Sequence, residues 1–352
     1  MSDGSGGQFD DEAAAQQRRA RREGVDLDAT DTGDPGAAFK AHVREARSEF
    51  ESHVAHARAE FEEANERIKQ RTGRDLIVAS AIGIGIGAVL LASLLVVKWV
   101  FIAFALAAAL LGVFEFGRAL IASGRRVDLV AQIGAAIALI FCAALLDPWM
   151  LWVTLFVAIA VVIVWRLVGQ MVARDGRAHG DVLSDVLAGG LIQLYVAFLA
   201  ALCVVLLRQE HGEWWVLSFI IIAVAADTGA YAAGLTFGRG GKHPMAPRIS
   251  PKKTWEGFAG AAVVALLAGV LTGIFLLGIP WWAGVVFGAV ILGTATAGDL
   301  GESMIKRDLG IKDMSSWLPG HGGVLDRLDS ILPSAMAALA LFYVLSPLAV
   351  ST

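Results

Sequence analysis

The sequence is poor in cysteine. Of its 352 residues only Cys142 and Cys203 are cysteines, and both lie within apolar runs. A disulfide framework or a cysteine-based zinc site needs more cysteines at other spacings, so we expect small buried hydrophobic side chains instead. The chain starts with the polar stretch MSDGSGGQFD, and no cleavable signal peptide is expected. The net charge of −4 says little about partners, and we expect no nucleic-acid partner.

Several catalytic motifs are also missing from the sequence. There is no GxSxG, no HExxH and no P-loop GxxxxGK[ST], and neither cysteine stands near a histidine. These gaps argue against a serine hydrolase, a zinc protease and a P-loop ATPase.

Apolar residues, in contrast, make up 56% of the chain, and they are concentrated after Asp75. A helix of about 20 apolar residues crosses the ~30 Å hydrocarbon layer of a membrane. The sequence therefore predicts an all-α fold, a polytopic integral membrane helical bundle with an N-terminal soluble helical extension. The predicted spans are 76–97, 99–118, 129–146, 149–168, 183–207, 214–238, 257–278, 280–300 and 331–350.

Basic residues predict the orientation of these spans. With the N-terminus in the cytoplasm, the inner connectors carry fifteen Lys and Arg, whereas the outer connectors carry only Lys98 and Arg208. Such an asymmetry is typical of the positive-inside rule, and a missed span would destroy it. We expect a multi-pass protein of the cell (plasma) membrane. Its two long polar connectors, 239–256 and 301–330, would both face the cytoplasm.

The segment before the first span divides into two parts. Residues 1–36, rich in Gly, Asp and Gln, are predicted to be a disordered tail. In residues 37–75, Phe39, Phe50 and Phe61 recur every eleven residues, which keeps a stripe on one face of a helix. That helix could contact a partner, lie on the membrane or form a solvated stalk. We expect residues 76–352 to form the transmembrane domain.

Two polar clusters stand out near the predicted inner face. Asp227, in AADTGAYAAG, lies within or near the membrane, where an unpaired carboxylate costs at least ~2.5–3.5 kcal/mol. It needs protein, ion or water contacts, which Thr228 and Tyr231 could in part supply. The connector KHPMAPRISPKKTWEG is stiffened by three prolines and presents lysines and hydroxyls that suit phosphate oxygens.

A third cluster surrounds SMIKRDLGIKDMSSWLPGHGGVLDRLD, residues 303–329. Asp299 lies just before it, and Asp326 and Asp329 lie at its end, so carboxylates from two neighbouring spans can face each other. Oxygen ligands of this kind suit a hard cation such as Mg²⁺. The Gly322–Gly323 pair allows backbone amides to approach a ligand closely. Together these features indicate nucleotide or polyphosphate chemistry.

The residues of this third cluster resemble the signature of the phosphatidate cytidylyltransferase family, also called CDP-diacylglycerol synthases. The matching pattern is S-x-I-K-R-x4-K-D-x-S-x2-L-P-x-H-G-G-V-x-D-R-L-D, and the strings ADTGAYxxG and MAPRISPKKTWEG also resemble the family. The resemblance implies an enzyme that joins CTP and phosphatidic acid, releases pyrophosphate, uses Mg²⁺ with a K⁺ ion near it, and forms a homodimer in the membrane lipid bilayer.

The resemblance and the clusters together assign roles to individual residues. Metal binding is expected at Asp299 and Asp326, with help from Asp329 and Asp227. The expected catalytic residues are Asp299, Asp326, Lys306, Arg307 and His321. The expected substrate-binding residues are Ser250, Lys252, Lys253, Thr254, Ser303, Lys312, Gly322 and Gly323.

Two other functions remain as alternatives. An ion-coupled transporter could use Asp227 as a relay, but it would place polar residues at mid-depth on several spans. A CDP-alcohol phosphotransferase would carry a DG…AR…G…D…D motif, which the sequence lacks.

Overall fold

The computed structural model describes residues 76–173, 177–238, 243–315 and 322–349, with side chains from Gly85 onward except that of residue 86. The predicted tail of residues 1–36, the predicted helix of residues 37–75 and His321 lie outside the described residues. These predictions therefore stay predictions.

Nine helical segments occupy the described residues, one at each predicted span, which confirms the fold class. They are α1 Leu76–Val96, α2 Lys98–Ala122, α3 Leu129–Leu145, α4 Met150–Ala173, α5 His179–Leu207, α6 Gly212–Thr236, α7 Trp255–Phe275, α8 Trp281–Asp308 and α9 Leu325–Leu348. Helices α2 and α4 to α9 are long and apolar enough to cross a membrane, whereas α3 has 17 residues. The multi-pass membrane character that the sequence predicts is thus present in the described part of the chain.

Local chemistry explains where several helices begin and end. The Asp128 carboxylate accepts hydrogen bonds from the backbone amides of Val130 and Ala131 and so caps α3. The Thr254 hydroxyl accepts from the Gly257 amide and caps α7. Gly278, with φ of 63°, turns the chain between α7 and α8.

The centre of the bundle is α5. Every residue of its last segment, Leu199–Leu207, is buried within the protein, whereas the other long spans keep much of their surface for lipid. Aromatic rings join the helices around it. The Trp215 ring of α6 packs edge-on against Phe287 of α8 and Phe342 of α9, at centroid distances of 5.6 and 5.4 Å.

Glycines let α6, α7, α8 and α9 approach one another closely. A Cβ added to Gly260 of α7 would lie 2.2 Å from the Ala233 side chain of α6. At Gly298 of α8, an added Cβ would lie 2.2 Å from the backbone oxygen of Asp329. Small residues commonly mark such helix contacts in membranes, where the backbones pack directly. These contacts hold together the four helices that carry most of the predicted site.

The connector between α6 and α7 contains a two-stranded antiparallel sheet, β1 Pro244–Ala246 and β2 Ser250–Thr254. The sequence predicted only a stiff loop here. Both strands of a two-stranded sheet are edge strands, so proline, which has no backbone N–H to donate, is tolerated at Pro244 and Pro251. Lys253 of β2 reaches Asp299 of α8.

Contacts between the connectors fall into two groups. Arg177 donates to the Gly124 carbonyl at 3.2 Å, and Arg307 donates to the Ile249 carbonyl at 3.2 Å, so basic connectors meet each other. Elsewhere, Arg208 donates to the Leu146 carbonyl at 2.6 Å. Each contact joins connectors or span ends that the sequence assigns to the same side. The direction of the bundle in the membrane stays a prediction.

Candidate active site

A cavity of about 190 Å³ opens between α6, α7, α8 and the β hairpin. It combines carboxylates, lysines and hydroxyls from stretches far apart in the sequence. The polar residues that line it are Asp227, Tyr231, Lys252, Lys253, Thr254, Thr296 and Asp299. The first two sequence clusters thus meet the start of the third cluster in one place.

The floor of the cavity contains an ion pair between Lys253 of β2 and Asp299 of α8. Both side chains are only partly exposed, and the Ser303 hydroxyl lies 3.4 Å from the other Asp299 oxygen. Ser303 follows Asp299 by four residues, about one helical turn, so the two side chains lie on the same face of α8. The pair fixes the hairpin against α8 and places a carboxylate and an ammonium group side by side.

Asp227 of α6 and Lys252 of β2 face the same cavity without a fixed partner. Both are exposed, and within the described residues neither forms a hydrogen bond or ion pair through its side chain. The Thr228 hydroxyl donates to the Val224 carbonyl at 2.8 Å rather than to Asp227. A free carboxylate and a free ammonium group are thus available to a ligand.

Asp326 lies in a different environment from Asp227 and Asp299. Its carboxylate accepts hydrogen bonds from Lys306 at 2.9 Å, from the Met314 amide at 3.0 Å and from the Gly323 amide at 2.7 Å. Lys306 also pairs with Glu302, whose side chain is fully buried, at 2.5 Å. Asp326 therefore holds the connector between α8 and α9 to α8, beside the cavity lining rather than within it.

Glu115 of α2 is a second anchor of this connector, and the sequence analysis missed it. It is 2% exposed and accepts hydrogen bonds from the Ser315 hydroxyl and from the amides of Val324 and Leu325, at 2.6 to 3.0 Å. The available signal was a lone carboxylate in an otherwise apolar span, which is costly unless satisfied. The string GVFEFG contains no motif that would name its partners.

The remaining predicted residues lie around this centre. Gly322 has φ of 82°, a conformation that favours glycine, and Gly323 has room for no side chain because Glu115 would lie 2.7 Å from an added Cβ. Arg307 braces the hairpin through Ile249. Ser250 begins β2 next to the cavity, whereas Lys312 is exposed beyond α8.

The donor set fits a hard cation in one specific way. Among the described residues, no three His, Cys, Asp or Glu side chains come together as a ready-made metal cluster. Asp227 and Asp299 nevertheless line one cavity. Mg²⁺ is commonly held by one or two carboxylates together with water and substrate phosphates, so two carboxylates suffice. Asp329, which was also predicted to help bind the metal, accepts a hydrogen bond from the Ser330 amide at 2.6 Å and lies at the contact between α8 and α9.

Comparison with known proteins shows which family the chain belongs to. The model of the cytidylyltransferase family matches residues 77–345. A phosphatidate cytidylyltransferase of Mycobacterium bovis is 39% identical over 281 residues, which cover 76% of this chain and 88% of the relative. The corresponding proteins of Mycobacterium tuberculosis and Mycobacterium leprae are 39% and 37% identical, covering 82% and 88% of their lengths. The chain therefore belongs to the phosphatidate cytidylyltransferases, a family of nucleotidyltransferase enzymes of the membrane.

Proposed function

We propose that this protein transfers the cytidylyl group of CTP to phosphatidic acid, forming CDP-diacylglycerol and pyrophosphate. The observation that carries the proposal is the cavity in which Lys252 and Lys253 of the hairpin face Asp227 and Asp299 of the spans. A phosphate oxygen of the lipid attacks the α-phosphorus of CTP, and the bond between the α-phosphate and the pyrophosphate group breaks. The attacking oxygen is already anionic, so no strong general base is needed.

Positive charge near the cavity would oppose the repulsion between the two anionic substrates. Lys252 has no fixed partner among the described residues, and it is the group best placed to receive a phosphate oxygen. The N-terminus of α7 adds its partial positive charge, because Thr254 caps it and Gly257 of its first turn lines the cavity. Lys253 stays in place through Asp299. These groups orient the reactants and stabilise the developing charge.

We also propose that Asp227 and Asp299 hold Mg²⁺. When bound, the ion would neutralise phosphate oxygens and favour departure of pyrophosphate. Asp326, whose two oxygens already accept three hydrogen bonds, would then act by holding the α8–α9 connector. The roles predicted for Asp329, Ser250, Ser303, Lys312 and the K⁺ ion remain proposals of the same kind.

The site belongs at the surface of a membrane. Apolar spans surround it, and its polar connectors collect at one end of the bundle. Such a position lets a lipid remain in the bilayer while a soluble nucleotide enters from water. We propose that this end faces the cytoplasm of a cell whose plasma membrane holds the protein, and that the enzyme is a homodimer.

The direct test gives the purified full chain phosphatidic acid, radiolabelled CTP and Mg²⁺ in detergent micelles. We expect a CDP-lipid and an equal amount of pyrophosphate. Diacylglycerol in place of phosphatidic acid should yield no product, because it lacks the attacking phosphate. Absence of product with every nucleotide tested would refute the proposal.

A matched pair of variants locates the reaction in the cavity. Asp299→Asn removes the carboxylate that lines it, and we expect turnover to fall at least about 100-fold. Asp308→Asn, an exposed change at the end of the same helix, should keep near-normal turnover. Equal activity of the two variants would move the reaction away from this cavity.

A further inference from the structure

A second groove lies on the bundle outside the cavity, where α4 meets the connector between α2 and α3. It has a volume of about 330 Å³ and is lined by Arg125, Arg126, Asp128, Trp165, Arg166 and Gly169. None of these residues lines the candidate active site. The groove therefore needs an explanation of its own.

The walls of this basic groove are held in place by buried interactions. Asp185 of α5 is 2% exposed and pairs with Arg166 at 2.7 Å, and its other oxygen accepts from the Arg126 amide at 3.0 Å. The Trp165 indole donates to Asp128 at 2.6 Å. Because these side chains are already held in place, the binding of a ligand costs little of their conformational entropy, as in a preorganised site.

The charge of the groove favours an anion. Three arginines line it with one aspartate, Asp128, and since the charge of Arg166 is balanced by the buried Asp185, two arginines stand against one aspartate. Among the described residues Arg125 forms no side-chain ion pair, and it is only partly exposed. A guanidinium group can donate two parallel hydrogen bonds to phosphate oxygens, which makes arginine a common phosphate ligand.

An apolar groove of about 690 Å³ continues from the basic groove along α4. Trp165 and Gly169 line both. The rest of the apolar groove is a stripe of valines and alanines that includes Val157, Val161 and Val168, each roughly half exposed. The basic groove lies at the last turns of a spanning helix, the depth of lipid head groups.

From this continuity we propose that the two grooves form one binding site for an anionic phospholipid. The phosphate of the head group would contact Arg125 and Arg126, and an acyl chain would lie along the valine stripe of α4. Trp165 would sit at the boundary, where amphipathic rings are favoured in membranes. The site is separate from the cavity where cytidylyl transfer is proposed, and it does not depend on that proposal.

Gly169 offers a way to block the junction without disturbing the fold. An added Cβ at this glycine meets no atom within 4 Å, so a larger side chain would project into the groove. Gly134 of α3 has the same open surroundings but lines neither groove. Gly169→Leu and Gly134→Leu are therefore a matched pair, since both add one leucine to an open helix face.

The test is a titration of the purified full chain with phosphatidylglycerol or phosphatidylcholine of the same acyl chains, followed by native mass spectrometry. Phosphatidylglycerol carries an anionic phosphate but is not the proposed substrate. We expect it to bind the wild-type protein more tightly than phosphatidylcholine. Arg125→Gln should weaken that binding about tenfold, the effect of one lost charge-assisted hydrogen bond. Gly169→Leu should weaken binding of both lipids, and Gly134→Leu should change neither.

Several outcomes would overturn the proposal. Equal binding of the two lipids by the wild-type protein would show a general lipid contact. Equal behaviour of Gly169→Leu and Gly134→Leu would show that the groove holds no lipid. A changed ratio of monomer to dimer in Gly169→Leu, with lipid binding unchanged, would make this face a subunit interface. Phosphatidylglycerol binding lost in Asp299→Asn would place the lipid in the candidate active site.

Discussion

At the scale of single residues, the candidate site separates carboxylates that face a cavity from carboxylates that hold a connector. Asp227 and Asp299 line the cavity, whereas Asp326 and Glu115 accept hydrogen bonds from backbone amides where the connector between α8 and α9 ends. A carboxylate can thus take either role, and the positions of the nearby hydrogen-bond donors decide which one. The strings that resemble the family contain one carboxylate of each kind, Asp227 and Asp326, and do not distinguish the two.

Lys252 should contribute mainly to nucleotide binding. It is exposed to the cavity, and a lost contact between its ammonium group and a phosphate should lower kcat/KM for CTP about tenfold in Lys252→Gln. Arg248→Gln removes an exposed positive charge from the same hairpin but not from the cavity, so its kcat/KM should match that of the wild type. Equal losses in both variants would indicate only a general attraction of the hairpin for anions.

Glu115 should matter to the connector without touching a substrate. One carboxylate oxygen accepts a hydrogen bond from the Val324 amide and the other accepts one from the Leu325 amide. In Glu115→Gln an NH₂ group replaces one of these oxygens and must face an N–H donor. A buried donor left unpaired costs about 1–3 kcal/mol, and we expect a lower Tm in detergent together with lower kcat. Glu210→Gln, at an exposed position, provides the control. An unchanged Tm would show that Glu115 does not anchor the connector.

At the scale of elements, apolar length and basic residues were enough to predict the nine helices, although several ends moved. The eighth span was expected to stop at residue 300, but α8 continues to Asp308. Lys306 and Arg307 are charged, yet they extend the helix because Glu302, Asp326 and the Ile249 carbonyl satisfy them. The β hairpin was missed because its ladder depends on pairing rather than on apolar alternation.

The contact between α8 and α9 gives a prediction for an element. Gly298→Ala places a methyl group 2.2 Å from the Asp329 carbonyl, so the two helices must separate. We expect lower Tm and lower turnover, because Asp299 adjoins the altered position. Gly293→Ala, on the same helix, meets no atom within 4 Å and should be neutral. A neutral Gly298→Ala would mean that the close helix approach is not needed.

At the scale of the whole molecule, the sequence predicted which connectors share a side, and the structure brings two pairs of the predicted inner connectors into contact. It could not predict the cavity itself. Lys253 and Asp299 are 46 residues apart, and their pairing depends on how α6, α7 and α8 cross through their glycines. Glu115 and Ser315, which are 200 residues apart, are an even longer-range case. These long-range contacts depend on how the helices pack, and no local sequence pattern predicts that packing.

Cysteine labelling tests the predicted orientation of the molecule. Cys142 and Cys203 are buried, so the background should be low. With a membrane-impermeant thiol reagent, Lys312→Cys should react only after the cytoplasmic side is opened, and Glu210→Cys should react in intact cells. The reversed pattern would invert the topology and place the candidate site outside.

The most direct test of the central claim follows the oxygen atoms of the lipid. Phosphatidic acid with heavy oxygen in its phosphate is mixed with unlabelled CTP and the wild-type protein, and both products are analysed by mass spectrometry. If the lipid phosphate attacks the α-phosphorus of CTP, all of the label stays in CDP-diacylglycerol and none enters pyrophosphate. Label in pyrophosphate, or the absence of a CDP-lipid, would contradict the proposed reaction.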